Sequence, residues 1–380
     1  MHSAEPVAVE HIVAARQPLP RATTLPPRCY IDARWYAGEV ERIFQREWLS
    51  VGRVEQVPRA GDYFTVEMLD EPLVVVRESR DHIRVLSRVC RHRGMPVVSG
   101  AGHRKSFQCP YHLWTYGLDG QLLGAPEMDR AEGFSKTQCR LPTFRTEVWE
   151  GWIFVNFDPH APPLGPQIEP LRQAIAPYRV AELCGTPPLV FDSRWNWKIM
   201  VENFMESYHH MGPHAETLQP VVPAQGTYAE ESDGPYAVLH NPAKDRSLPL
   251  GMLAPIAGLS AAQQSEFVVC AVFPFHLFSV NPDSMVYYQI EPHSVEHFTL
   301  RIHVCVPPGA DGPRVEQLRG FLDTVHREDI VACSGVQAGM RSRFAQPGRY
   351  SHLEKALWQF HRFVLDRLQH ADEESHHVRA

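Results

Sequence analysis

The sequence predicts an α+β protein: a small all-β domain followed by a larger domain in which antiparallel strands surround long helices. Three observations carry that prediction. Between Val51 and Phe157 the apolar pattern is that of short strands, several with the period of two that a half-buried strand needs. Pro159 to Pro170 is proline-rich and reads as a linker. Beyond it, segments with helical spacing are interleaved with longer strand-like runs.

Taken in order, residues 1–27 are polar and proline-bearing and are expected to form a loose arm. Asp32 to Trp48 is expected to be helical, with Val40, Ile43, Phe44 and Trp48 at helical spacing. Tyr63–Met68, Leu73–Arg77, Ile83–Leu86 and Trp152–Phe157 are strand candidates. After the linker come a helix at Leu171–Tyr178, a strand at Pro188–Asn196 and a helix from Trp197 to His210. Three strands follow at Phe267–Val280, Met285–Pro292 and His297–Val306, then a long helix at Val315–Met340. Ser351-His352-Leu353-Glu354 is a capping box that opens a last amphipathic helix, and the tail from His370 is expected to fray. The domains are therefore drawn as an N-terminal arm and helix at 1–44, a β domain at 45–158 and a second domain at 159–380.

Length and charge bound the function. A chain of 380 residues can hold two or three domains, and its 44% hydrophobic and 21% charged content is ordinary for a globular protein. A net charge of −7 argues against nucleic acid as a partner. No apolar run is long enough to cross a bilayer, and Met1–Arg21 lacks the apolar core of a secretory signal, so a cytoplasmic location is expected. The eight cysteines are scattered, which suits free thiols better than a disulfide framework.

Two of those cysteines carry the strongest signal. Cys90-Arg91-His92 and Cys109-Pro110-Tyr111-His112 form C-x-H and C-x-x-H, so each short loop brings one thiolate and one imidazole. Structural zinc also takes two Cys and two His, but usually with Cys beside Cys and His beside His. The mixed pairing matches a Rieske-type [2Fe–2S] cluster, in which two His replace two Cys on one iron. Arg93-Gly94 and Trp114-Thr115-Tyr116 flank the pairs, and Asp119-Gly120 offers a two-residue hairpin turn, so the pairs read as loops at hairpin tips. From Arg77 to Lys105 eight Lys or Arg face two acids. That run is either a solvated face or a docking surface for an acidic electron donor beside the cluster.

A second constellation lies in Glu202-Asn203-Phe204-Met205-Glu206-Ser207-Tyr208-His209-His210-Met211-Gly212-Pro213-His214. Glu206 and His209 are expected on one helix face, with Gly212-Pro213 ending the helix and His214 folding back. Two His and one carboxylate suffice for an Fe(II) site with open positions. Among twenty-one histidines such a pair alone is more often packing or surface, but an electron taken up by a cluster needs a destination. His210 points to another helix face and reads as structural. Asp329, with Val325, Ile330 and Val331 as apolar neighbours, is the preferred carboxylate, ahead of Glu328 and Asp323. Phe204, Phe273, Phe275, Phe278, Tyr287 and Tyr288 read first as core; any that line a pocket would suit flat rings or, by cation–π contact, a methylated ammonium.

The two constellations, in this order, resemble the Rieske non-haem iron oxygenases, whose members include ring-hydroxylating dioxygenase large subunits and Rieske monooxygenases. The resemblance spans roughly residues 35–365. It implies a Rieske β-domain joined to a helix-grip (START-like) catalytic domain. It implies that Cys90, His92, Cys109 and His112 hold the cluster and that His209, His214 and Asp329 hold a mononuclear Fe(II). Glu206 and Asn203 become the candidate catalytic residues, with Glu206 bridging His209 to His112 of a neighbouring subunit in a homotrimer. The implied reaction uses O2 to hydroxylate or oxidatively demethylate a small organic, aromatic substrate. Electrons would come from NAD(P)H through a ferredoxin or flavin reductase, docking at 77–105. A quaternary ammonium or N-methylated amine is the alternative substrate, and a Rieske electron-transfer protein the alternative function. Two departures stand out: Leu113, where many members carry Gly, is expected to alter packing but not ligation, and Glu206 replaces the Asp usual in ring-hydroxylating members.

Overall fold

The computed structural model describes residues 7–377. The chain forms two compact units: Gln45–Leu164, and Met1–Phe44 together with Gly165–Ala380.

In the first unit a seven-stranded sheet is ordered β1-β10-β9-β4-β3-β2-β5. These strands are β1 (Leu49–Arg53), β2 (Asp62–Met68), β3 (Glu71–Arg77), β4 (Ile83–Ser87), β5 (Ala101–His103), β9 (Thr143–Trp149) and β10 (Trp152–Asn156). A second sheet of three short strands joins β6 (Phe107–Gln108), β7 (Thr115–Tyr116) and β8 (Leu122–Gly124). Val74, Val76 and Leu86 from the large sheet pack against Phe107, Tyr116 and Leu122 from the small one. Cys90 and Cys109 belong to that same buried cluster. The β7–β8 turn is longer than the expected two-residue turn. Gly117 N–H donates to Gln121 O at 2.8 Å around Leu118-Asp119-Gly120, and Gly120 takes φ +88°, the left-handed position of a three-residue hairpin loop.

The second unit is built on an antiparallel sheet of eight strands. β13 (Tyr228–Ala229), β14 (Tyr236–Pro242), β15 (Glu266–Val272), β16 (His276–Val280), β17 (Met285–Ser294) and β18 (His297–Val306) run side by side, and both β11 (Cys184–Gly185) and β12 (Leu189–Ser193) pair with β18. Three helices complete the site's frame: Trp197–Phe204, Gly312–Met340 and Lys355–His377. The long helix turns a stripe of Val315, Leu318, Val325, His326, Asp329, Cys333 and Gln337 inward.

Several elements differ from expectation. The run Phe267–Val280 is a hairpin and not one strand, because Phe273-Pro274 interrupts the ladder. The arm at 1–27 contains a helix, Val9–Ala15, and is tied down: Trp358 Nε1 donates to Gln17 O at 2.9 Å and Arg16 pairs with Asp366 at 2.7 Å. The last helix runs to His377. The helix expected from Trp197 to His210 stops at Phe204 and resumes as a 3-10 turn, Tyr208–Met211. One tertiary bond and one local cap win over helix propensity there. Ser207 Oγ bonds Asn241 Oδ1 of β14 at 2.5 Å, and Glu206 Oε2 accepts from His209 N–H at 3.1 Å, capping the second turn.

Candidate metal centres

The two Cys–His loops share one backbone plan. In the first, Cys90 N–H donates to Met95 O at 2.9 Å and Gly94 N–H donates back to Cys90 O at 3.0 Å. In the second, Cys109 N–H donates to Trp114 O at 2.8 Å and Leu113 N–H to Cys109 O at 3.0 Å. Leu113 therefore occupies the position of Gly94, and both are left-handed, with φ +60° and +75°. Leu113 is 53% exposed, so the departure noted in the sequence alters backbone strain and not packing.

Cys90 and Cys109 are buried, while His92 is exposed and His112 half-buried. The two imidazoles lie 4.6 Å apart between ring centroids, and His92 stacks on Trp114 at 4.8 Å. Tyr116 Oη lies 3.3 Å from Cys90 Sγ and accepts from Arg91 N–H at 3.0 Å. The chemistry of this set fits a Rieske cluster: two thiols on a dry floor, two imidazoles at the rim, and a phenol poised to donate to a ligating sulfur.

The basic run is partly neutralised. Arg84 pairs with Glu78 and Arg88 with Glu67, and Arg77 donates to Val57 O at 2.5 Å. Arg80, Arg91, Arg93, Arg104 and Lys105 remain exposed.

In the second unit His209, His214 and Asp329 offer ligand atoms that all lie within 4.8 Å of one another. His214 Nε2 is 2.9 Å from Asp329 Oδ1, and His209 Nε2 is 3.6 Å from the same oxygen. Each imidazole is braced from behind. Glu206 Oε1 holds His209 Nδ1 at 2.6 Å, and Glu328 Oε2 holds His214 Nδ1 at 2.6 Å. Thr217 Oγ1 donates to that Glu328 oxygen at 2.7 Å. With both Nδ1 atoms engaged, both Nε2 atoms face the shared point, which is the arrangement a metal-binding histidine needs. Asn203 Nδ2 donates to Asp329 Oδ1 at 3.1 Å. Burial opposes ionisation of Asp329, but His214, His209 and Asn203 outweigh it and hold its pKa below the ordinary carboxylate range. This donor set, two imidazoles and one carboxylate, fits a 2-His-1-carboxylate Fe(II) site.

The residues the sequence singled out divide cleanly. His209, His214, Asp329, Glu206 and Asn203 come together. His210 turns away, with Nδ1 on Val222 O at 3.0 Å and its pKa pushed down to about 4, chiefly by burial. Asp323 pairs with Arg327 at the surface at 2.7 Å. Glu328, ranked second as a ligand, is instead the brace of His214; only its adjacency to Asp329 hinted at this in the sequence. Val331 is 75% exposed, so the apolar edge beside Asp329 is Val325 and not Val331.

Residues 47–145 match the Rieske [2Fe-2S] domain family, and residues 182–370 match the ring hydroxylating alpha subunit (catalytic domain) family. Biphenyl 2,3-dioxygenase subunit alpha of Rhodococcus jostii is 36% identical over 198 residues, covering 50% of this chain and 43% of that protein. The glycine betaine monooxygenase oxygenase subunit of Chromohalobacter salexigens is 35% identical over 200 residues, covering 52% and 45%. The chain spans about half the length of the curated relatives it matches. A crystal structure of a quaternary ammonium Rieske monooxygenase shares the fold, with a TM-score of 0.82 at 23% identity, covering 97% of this chain and 100% of that one. Among the described residues no helix is long and apolar enough to cross a membrane. The two domains imply a Rieske [2Fe–2S] cluster and a mononuclear iron. With a Rieske domain followed by a ring-hydroxylating alpha-subunit catalytic domain, the chain belongs to the Rieske oxygenase family.

Proposed function

We propose that the protein is a terminal oxygenase that takes electrons from a reductase or ferredoxin and uses O2 to hydroxylate or oxidatively demethylate a small organic molecule. The observation that carries this reading is the pair of centres in one chain: Cys–His loops suited to a cluster, and His209, His214 and Asp329 gathered with their outer nitrogens braced. When bound, the cluster supplies electrons singly and the iron supplies O2 activation.

The roles of this chain's residues follow from their partners. Cys90, His92, Cys109 and His112 hold the cluster, and Trp114 fixes the plane of His92. His209, His214 and Asp329 hold the iron. Glu206 keeps a proton on His209 Nδ1 and Glu328 keeps one on His214 Nδ1, so both rings present their unprotonated Nε2 atoms. Asn203 fixes the rotation of the Asp329 carboxylate. The other carboxylate oxygen of Glu206, beyond its backbone contact, is the group we assign to meet His112 of a neighbouring subunit in a trimer. The exposed basic residues beside the first loop suit an acidic electron donor.

Two substrate classes are in view, since one relative is named for biphenyl and another for glycine betaine. Glu206, standing where ring-hydroxylating members usually carry Asp, favours the ammonium reading. The test is turnover under 18O2 with a surrogate reductase, offering ring compounds and methylated amines. Labelled product, abolished by Asp329→Ala with the cluster absorbance retained, is the expected result. Cluster reduction and reoxidation by added acceptors without labelled product from any compound would instead identify an electron-transfer protein.

A further inference from the structure

Beside His209, His214 and Asp329 lies a cavity of about 380 Å³. One wall is the long helix, which contributes Leu318, Phe321, Leu322 and Val325 in the turns before Asp329. The opposite wall is the face of the sheet. There Val269 of β15, Ser279 of β16 and Val286 of β17 lie in register across three neighbouring strands, all lining the cavity.

Charge is the informative property of this lining. Among the described residues it contains no Lys or Arg. It contains three carboxylates, and each is already engaged. Glu206 serves His209, and Asp329 faces both histidines. Asp283, 1% exposed, turns to the backbone: Oδ2 accepts from Met252 N–H at 2.6 Å and Leu253 N–H at 2.7 Å, and Oδ1 accepts from Ser284 Oγ at 2.8 Å. Apart from the iron itself, a substrate carboxylate would have no cationic side chain to meet here. A substrate ammonium would meet carboxylates already committed to other partners, and aromatic faces such as Phe204 and Tyr288, with ring centroids 4.7 Å apart, that recover only a fraction of the hydration it loses.

Ser279 stands out in the same wall. A hydroxyl between two valines on a buried strand face weakens an otherwise apolar surface and contributes nothing to the sheet. Among the described residues its side chain makes no hydrogen bond, and the Asn281 amide, two residues on and also lining the cavity, makes one at 3.5 Å to Ser284 Oγ. Both are polar groups with unspent capacity facing an apolar space.

We infer that this cavity takes an uncharged, mainly apolar molecule and that Ser279 and Asn281 bind one hydrogen-bonding group on it. The chemical fate of that molecule rests on the oxygenase reading above; its recognition rests on the cavity. The inference separates the two substrate classes and sets aside zwitterions such as glycine betaine, despite Glu206.

The test uses four probes on one scaffold: naphthalene, 1-naphthol, 1-naphthoate and 1-naphthylmethylammonium. Binding to the metal-loaded protein is measured by anaerobic equilibrium dialysis without reductase. 1-Naphthol should bind about two- to tenfold tighter than naphthalene, the range of one net hydrogen bond. Both ions should bind at least about 100-fold more weakly than 1-naphthol. Ser279→Ala and Asn281→Ala should each erode the preference for 1-naphthol and leave naphthalene within about twofold. Equal binding of naphthalene and 1-naphthol, an unchanged preference in both variants, binding of either ion as tight as that of 1-naphthol, or no binding of the neutral pair would overturn the inference. Turnover is read separately. If no bound probe is oxygenated once reductase is added, the oxygenase reading fails while the binding order still judges this inference.

Discussion

His92 and His112 are held out at the ends of two short loops whose cysteines anchor in the β unit's core, whereas in the second unit His214 is buried and His209 half-buried, with a carboxylate behind each ring. The first pair is positioned by backbone: matching hydrogen bonds close each loop around its Cys. The second pair is positioned by side chains drawn from separate segments, with Glu328 and Asp329 arriving more than a hundred residues after His214. The difference teaches where each site is vulnerable. A loop site depends on local conformation and on its own four ligands. A side-chain site depends on its braces as well.

The largest effect should come from removing a ligand in each region and reading both centres. His92→Ala should abolish the Rieske electron paramagnetic resonance signal and leave the mononuclear iron in place. Asp329→Ala should empty the mononuclear site and leave the cluster signal intact. Loss of both metals from either variant would break the picture of two independently built sites.

Next in size are the braces. Glu328→Gln keeps the shape of the contact to His214 but removes its charge. Losses of about 10- to 100-fold in iron affinity are typical for such a partner, and competition with a chelator would measure it. No loss in affinity would reduce Glu328 to a packing residue. Glu206→Gln should weaken iron binding by a similar factor and, with iron restored at saturating concentration, still stop coupled turnover; surviving activity would rule out its bridging role.

The cluster half of this comparison was largely legible in the sequence. Four candidate ligands within 23 residues, on loops between short strands, are a local signal. The hairpin turn was misjudged by one residue because its type follows from Gly120's left-handed φ, which the dipeptide Asp119-Gly120 does not specify. The iron half was legible as residue types but not as geometry. His209, His214 and Asp329 were chosen from chemistry and resemblance. The break after Phe204 was hidden, because it depends on Asn241 in a strand that local pattern did not reveal. Glu328's place behind His214 is likewise a tertiary fact. The cavity wall was only partly foreseen: Phe204 and Tyr288 line it, while Phe273, Phe275 and Phe278 are core.

The smallest effects test the shared loop plan. Gly94→Leu places a side chain in open space, since nothing lies within 4 Å of its Cβ, so only backbone strain is added. Its cost should be about 1 kcal/mol, read as an earlier thermal loss of cluster absorbance. Leu113→Gly relieves the same strain but adds freedom to the unfolded chain, so it should shift stability by less than about 1 kcal/mol. A large loss on Leu113→Gly would mean that the exposed side chain has a role of its own.

The central claim is that electrons gathered at the Cys90–His112 loops are used at the His209–His214–Asp329 site. Its most direct test is a single turnover. The enzyme is reduced, freed of excess reductant and mixed with 18O2 and 1-naphthol, while cluster absorbance and product are followed together. The account predicts reoxidation of the cluster in step with labelled product in the wild type, and a cluster that stays reduced, with no product, in Asp329→Ala. Labelled product from Asp329→Ala at the wild-type rate would contradict it.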